Sequence, residues 1–273
     1  MKTLTRWVMA AAALALLGAG DAAAQSRPDL LTQVNPFVGA EAGGNTVPGA
    51  SVPFGMTAFS PDTTGGQTSG YSTRDPIVGY SHMHVSGTGG AGKYGAFRVT
   101  PALGEDALGN WAFPRDPASE RASPGYYTVV AGRPGRAIRA ELTASRRTGV
   151  ARYTFPAATD ARLMLDVSSA VQLMGGGPRA TTAIVSVDDA THVSGEVTFE
   201  GGFGSGGYRL FFAAEYDRAP TRFGRWERGR GSMVLTDGAG AATGADQRQH
   251  AENAIGAFAE FDTRQQPVVG MRL

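Results

Sequence analysis

No cysteine occurs anywhere in the chain. That excludes disulfides, thiolate metal sites and the acylated cysteine of a lipoprotein leader. The chain also lacks an excess of either charge: 25 basic residues stand against 24 acidic ones. The arginines are spread among carboxylates, so no strong field draws in nucleic acid or anionic lipid, and neither is expected as a partner. Long apolar runs are missing as well. The only candidate is residues 7–17, behind Lys2 and Arg6, and it is shorter than the roughly 20 residues that span a bilayer. Followed by Ala22, Ala23 and Ala24, it reads as a signal peptide over residues 1–24 with Gln25 as the mature start. The expectation is an exported protein, periplasmic or secreted, with no membrane span.

Helical periodicity is absent after the leader. What is present is 39 glycines, 15 prolines and a hydrophobic share of 42%, a turn-rich composition with enough apolar material for a core. Residues 27–95 are dominated by turn chemistry, as in Val52-Pro53-Phe54-Gly55-Met56. Later segments alternate with period two: Ile138, Ala140 and Leu142; Ala151, Tyr153 and Phe155; Leu163, Leu165 and Val167; Tyr208 through Tyr216. That is the mark of half-buried strands. The pattern predicts an all-β fold, a large antiparallel β-sandwich of roughly a dozen strands. Residues 267–273 read as a strand in progress, either on a sheet edge or, as we expect, in a chain cut from something longer.

Two glycine motifs fail on context. Gly87 with Gly92 and Lys93 has phosphate-loop spacing, but Tyr94 stands where a hydroxyl is needed and a strand follows instead of a helix. Gly202 to Gly207 leads from strand to strand and reads as a hairpin turn.

His82 and His84 are two of only four histidines. On a strand both imidazoles would share one face. Structural histidines and ligand contacts both fit that pattern, and neither His192 nor His250 supplies a recognisable third zinc ligand. Phe54-Gly55 and Gly70-Tyr71 place rings beside glycine, as a sugar-stacking platform or as core filling. Glycoside hydrolysis needs two carboxylates, yet nothing singles out a pair among Asp62, Asp75, Glu105, Asp106, Asp166, Asp188 and Asp189. Most of these are expected to be solvated.

Residues 34–39 (VNPFVG), 48–56 (PGASVPFGM) and 60–62 (SPD), then Gly70-Tyr71 leading into residues 78–89 (VGYSHMHVSGTG), resemble glycoside hydrolase family 92. Residues 122–127, 141–144 and 152–156 fit the same template in the same order. The resemblance implies a supersandwich like those of galactose-mutarotase-like domains, occupying residues 25–273. It implies an exo-acting, inverting, Ca²⁺-dependent α-mannosidase acting on mannose-containing glycans. The acid, the base and the main calcium ligands would lie on an (α/α)₆ catalytic domain that has no counterpart here, so no metal or catalytic residue is expected on this chain. The implied sugar contacts are Phe54, Gly55, Gly70, Tyr71, His82, His84 and Ser86. A glycosidase portion inactive alone is the expected function. A free-standing carbohydrate-binding sandwich and a small complete hydrolase are the alternatives.

Overall fold

A computed structural model describes residues 29–41, 43–66, 68–87, 94–109, 111–171, 177–202, 206–229, 232–244 and 254–273. The leader, the glycine loop at 88–93, part of the 202–207 turn and His250 lie outside the described residues. Residues 1–33 form a separate unit, whose described part is a short 3₁₀ turn at Leu30–Gln33.

The second unit, residues 34–273, is built from strands. In chain order they are β1 (Ala50–Ser51), β2 (Ala58–Thr63), β3 (Ile77–Ser81), β4 (Arg98–Leu103), β5 (Arg115–Ser123), β6 (Tyr126–Ala131), β7 (Ile138–Ala144), β8 (Gly149–Thr154) and β9 (Ala161–Asp166). Then follow β10 (Pro178–Val187), β11 (His192–Gly201), β12 (Tyr208–Tyr216), β13 (Arg222–Gly229), β14 (Ser232–Asp237), β15 (Gly240–Gly244), β16 (Ala254–Phe261) and β17 (Val268–Arg272). Seventeen strands are described against the dozen or so expected, and three of them, β1, β2 and β3, come from the early segment whose sequence shows few alternating runs.

One sheet has the order β1-β2-β3-β4-β9-β16-β13-β14, the other β15-β10-β11-β12-β17-β8-β7-β6-β5. Every pairing between named strands is antiparallel, and β17 lies inside the nine-stranded sheet between β12 and β8, away from its edges. The inward residues of both sheets meet in one core. Tyr80 meets Tyr153, Phe97 meets Phe212 and Tyr216 meets Phe261, with ring centroids 4.8–6.0 Å apart. Truncating any of these rings to alanine costs about 3–5 kcal/mol.

The eight-stranded sheet is also covered on its far face. Met164, Phe258 and Trp226 form a second apolar cluster with Trp111, which follows the 3₁₀ turn Gly104–Ala107. Trp111 stands edge-on to Trp226 at 5.8 Å. Strand β9 is therefore buried on both sides, its alternation notwithstanding.

Candidate functional site

The irregular segment between residues 45 and 97 holds the backbone in conformations that L-residues avoid. Asn45, Phe54, Tyr94 and Phe97 all have φ between 54° and 68°. For a non-glycine residue such a conformation costs on the order of 1–2 kcal/mol. Phe54 sits at the tip of a turn closed by the Gly55 amide donating to the Val52 carbonyl at 3.0 Å. The Met56 amide then donates to the Arg146 carbonyl at 2.7 Å, pinning the turn to the β7–β8 hairpin. The Phe54 ring is as exposed as in a free peptide, at 105%.

The other aromatic candidate behaves in the opposite way. Tyr71 is 0% exposed. Its hydroxyl donates to Glu120 Oε1 at 2.8 Å, and Tyr127 donates to the same oxygen at 2.6 Å. Arg115 lies 5.4 Å above the Tyr71 ring, and its Nε is 3.7 Å from Glu120 Oε2. Burial, then the charge of Glu120, raises the Tyr71 phenol far above its ordinary range. Glu120 reaches inward because β5 is bulged between Asp116 and Arg121. Gly70, beside Tyr71, is buried and left-handed, and its carbonyl accepts the Thr63 amide at 2.9 Å.

His82 and His84 do not share a face. Strand β3 ends at Ser81, so the two-residue period no longer applies beyond it. His82 stacks on the core residue Phe59 at 3.9 Å and its Nδ1 donates to the Phe97 carbonyl at 2.8 Å. Burial pushes its pKa down to about 4, which leaves it neutral. His84 turns instead toward Asp62 and Ser81, with Nε2 2.8 Å and 3.1 Å from their oxygens. Its Nδ1 meets the Ala58 carbonyl at 2.9 Å. Ser86 is exposed, and its hydroxyl oxygen accepts the Val47 amide at 3.2 Å. Of the seven residues picked from sequence, then, Phe54 and Ser86 face solvent. Gly55 is partly covered, and Gly70, Tyr71, His82 and His84 are buried.

The structure also assembles a polar row that sequence reading left unpaired. Ser60, Ser81, Arg98 and Asp166 are successive cross-strand partners on β2, β3, β4 and β9. Arg98 bridges two carboxylates, 3.8 Å from Asp62 Oδ2 and 3.4 Å from Asp166 Oδ2. Its stem lies over Gly79, where a Cβ would come within 2.7 Å of Arg98 Cγ. Asp62 and Asp166 are buried, against the expectation of solvated carboxylates. Burial raises the Asp166 pKa, offset in part by Arg98. The available signal was the register of four strands, which local pattern does not reveal. Among the described residues no three His, Asp or Glu side chains converge to hold a metal ion.

A groove of about 360 Å³ lies elsewhere, on β8, β12 and β17, lined by Arg152, Glu215, Asp217 and Arg272 among others. None of the seven candidates borders it.

Residues 33–273 match the sequence profile described as the glycosyl hydrolase family 92 N-terminal domain. The chain belongs to glycosyl hydrolase family 92. The family 92 domain is similar to a solved family GH92 α-mannosidase from Bacteroides thetaiotaomicron, whose structure was also determined with mannoimidazole. Identity is 26% and the TM-score 0.73, over 89% of this chain and 32% of that one. A second enzyme of that organism, a family GH92 inverting mannosidase, shares the fold at 21% identity and TM-score 0.67, over 89% and 30% of the two chains. An uncharacterized secreted glycosidase of Arthroderma benhamiae is 29% identical over 213 residues, 73% of this chain and 27% of its own length. The family 92 domain described here thus spans about a third or less of the length of these relatives. Among its described residues no helix is long and apolar enough to cross a membrane.

Proposed function

We propose that this domain forms one wall of the sugar pocket of an exported, inverting α-mannosidase, and that an (α/α)₆ catalytic domain forms the opposite wall. In this reading the partner domain supplies the general acid and base, and the calcium ion on which the activity depends. No step is assigned to calcium on this chain, among whose described residues no three His, Asp or Glu side chains converge. Mannose-containing glycans are the substrates. Phe54 and Ser86 meet the sugar, while Gly55, Gly70, Tyr71, His82 and His84 shape and brace the loops that present them.

One observation carries the reading. Phe54 holds a costly left-handed backbone and exposes its whole ring, in a turn whose own packing makes no use of that ring. An aromatic kept on such terms suits stacking on an apolar sugar face, with neighbouring hydroxyls taken by polar groups. The pairing of acid and base on the other wall follows from the two carboxylates that glycoside hydrolysis requires.

The test uses the purified chain with an aryl α-mannoside, with and without calcium, and calorimetry with mannose and mannobiose. Half a pocket gives no turnover and no measurable heat. Turnover by the chain unaided overturns the reading, and heat without turnover favours a free-standing carbohydrate-binding sandwich. Amino-terminal sequencing of the exported protein is expected to begin at Gln25.

A further inference from the structure

The seating of His84 carries a second inference. It rests on the reading of residues 82–87 as part of a pocket wall and concerns what holds that segment in place. A ring nitrogen of histidine donates when protonated and accepts when bare, whereas a carbonyl oxygen only accepts. The Ala58 carbonyl, 2.9 Å from His84 Nδ1, therefore requires a proton on Nδ1. On the other side Nε2 lies 2.8 Å from Asp62 Oδ1. The two side chains are 0% and 5% exposed. A bare Nε2 facing an ionised carboxylate would set two lone pairs against each other in a desolvated space, where an unmade hydrogen bond is most costly. Ser81 Oγ, 3.1 Å from Nε2, has one proton to give and cannot satisfy both acceptors.

We propose that one proton is held between Asp62 Oδ1 and His84 Nε2, so that both ring nitrogens of His84 are protonated, and that this pair is the positioning lock of the 84–87 turn. The surrounding charges are compatible. Arg98 Nη1 is 3.8 Å from the second oxygen of Asp62 and balances it. His82 is neutral through burial and adds no competing charge. Beyond His84 the chain reaches Ser86, whose oxygen accepts the Val47 amide, and Gly87, whose amide donates to the Asn45 carbonyl at 2.7 Å. Asp62 on β2 thereby holds, through one imidazole, the 84–87 turn and the Asn45 and Val47 backbone bonded to it.

The test is long-range ¹H–¹⁵N NMR of the histidine-labelled chain at neutral pH, with amide exchange read at Val47 and Gly87. Both His84 nitrogens are expected to show protonated shifts, while His82 shows a protonated Nδ1 and a bare Nε2. Asp62→Asn, whose amide can donate to a bare Nε2, is expected to return His84 to the neutral Nδ1–H form with exchange at Val47 and Gly87 unchanged. Asp62→Ala is expected to speed that exchange by about 10-fold or more, the loss of a charge-assisted hydrogen bond. A bare Nε2 in the unmodified chain, an Asp62→Asn variant that keeps both His84 protons, or an Asp62→Ala variant with unaltered exchange each overturns the proposal. If Asp62→Ala does not fold, the first two measurements decide. No sugar enters these readouts, so their failure is distinct from failure in the mannoside assay.

Discussion

Glu120 reaches from the bulged edge strand β5 to accept the Tyr71 hydroxyl at 2.8 Å, in a space closed to solvent. The same carboxylate takes Tyr127 and lies against Arg115, so one side chain satisfies three buried partners. Removing it leaves a buried guanidinium without its counter-charge. Glu120→Ala is expected to cost about 3–5 kcal/mol, against about 1–3 kcal/mol for Tyr71→Phe, which loses the bond to Glu120 and the longer one accepted from Arg115 Nη1 at 3.3 Å. Urea unfolding of the two variants measures the difference. Equal costs would show that Glu120 is not the hub of the cluster.

Trp226 lies across Gly256 on the far face of the eight-stranded sheet, and its Nε1 donates to the Leu165 and Ala257 carbonyls at 3.1 Å. A Cβ at Gly256 would sit 2.5 Å from the indole and 1.8 Å from the Leu165 oxygen. Gly256→Ala is therefore expected to lower the unfolding free energy by about 3 kcal/mol, the upper end of overpacking costs. A thermal midpoint unchanged by the substitution contradicts the packing described.

His82 gives the fold a pH dependence of known sign. Its folded pKa, about 4, lies below the ordinary value of 6.5. Between those values the unfolded chain binds more protons than the folded one, so stability rises with pH through that window. It is fully present above about pH 6.5 and lost as pH falls toward 4. The buried site is worth about 3 kcal/mol by this route. Asp166, raised by burial, contributes with the opposite sign. The informative comparison is therefore with His82→Asn, which can still donate to the Phe97 carbonyl. That variant is expected to lose the pH 4–6.5 slope. A slope identical to that of the unmodified chain assigns it elsewhere.

Phe54 offers a stability–function contrast. Glycine tolerates its backbone angle without strain, whereas the ring contributes no packing of its own. Phe54→Gly is expected to leave the unfolding free energy unchanged or to raise it by up to about 1 kcal/mol, the relief of left-handed strain less the entropy of glycine. Marked destabilisation would mean that the ring supports the fold.

Much of the sheet architecture was legible in the amino-acid order, because side chains of a strand alternate faces and a two-sided core imposes that alternation directly. Ile138, Ala140 and Leu142 on β7, and Phe212, Ala214 and Tyr216 on β12, are buried as their pattern requires. The ordered motifs of residues 34–89 likewise carried the family. Alternation says which residues share a face, but not whether that face is later covered. Met164 and Asp166 on β9 were therefore readable as outward yet are buried, since Trp111, Trp226 and Arg98 arrive from distant segments. The same limit applies to the site. That His82 and His84 face apart depends on β3 ending at Ser81, and the burial of the Tyr71 hydroxyl depends on Glu120, 49 residues away. Sequence fixes local periodicity through backbone geometry. Burial and charge pairing are sums over the whole fold, and only the packed sheets decide them.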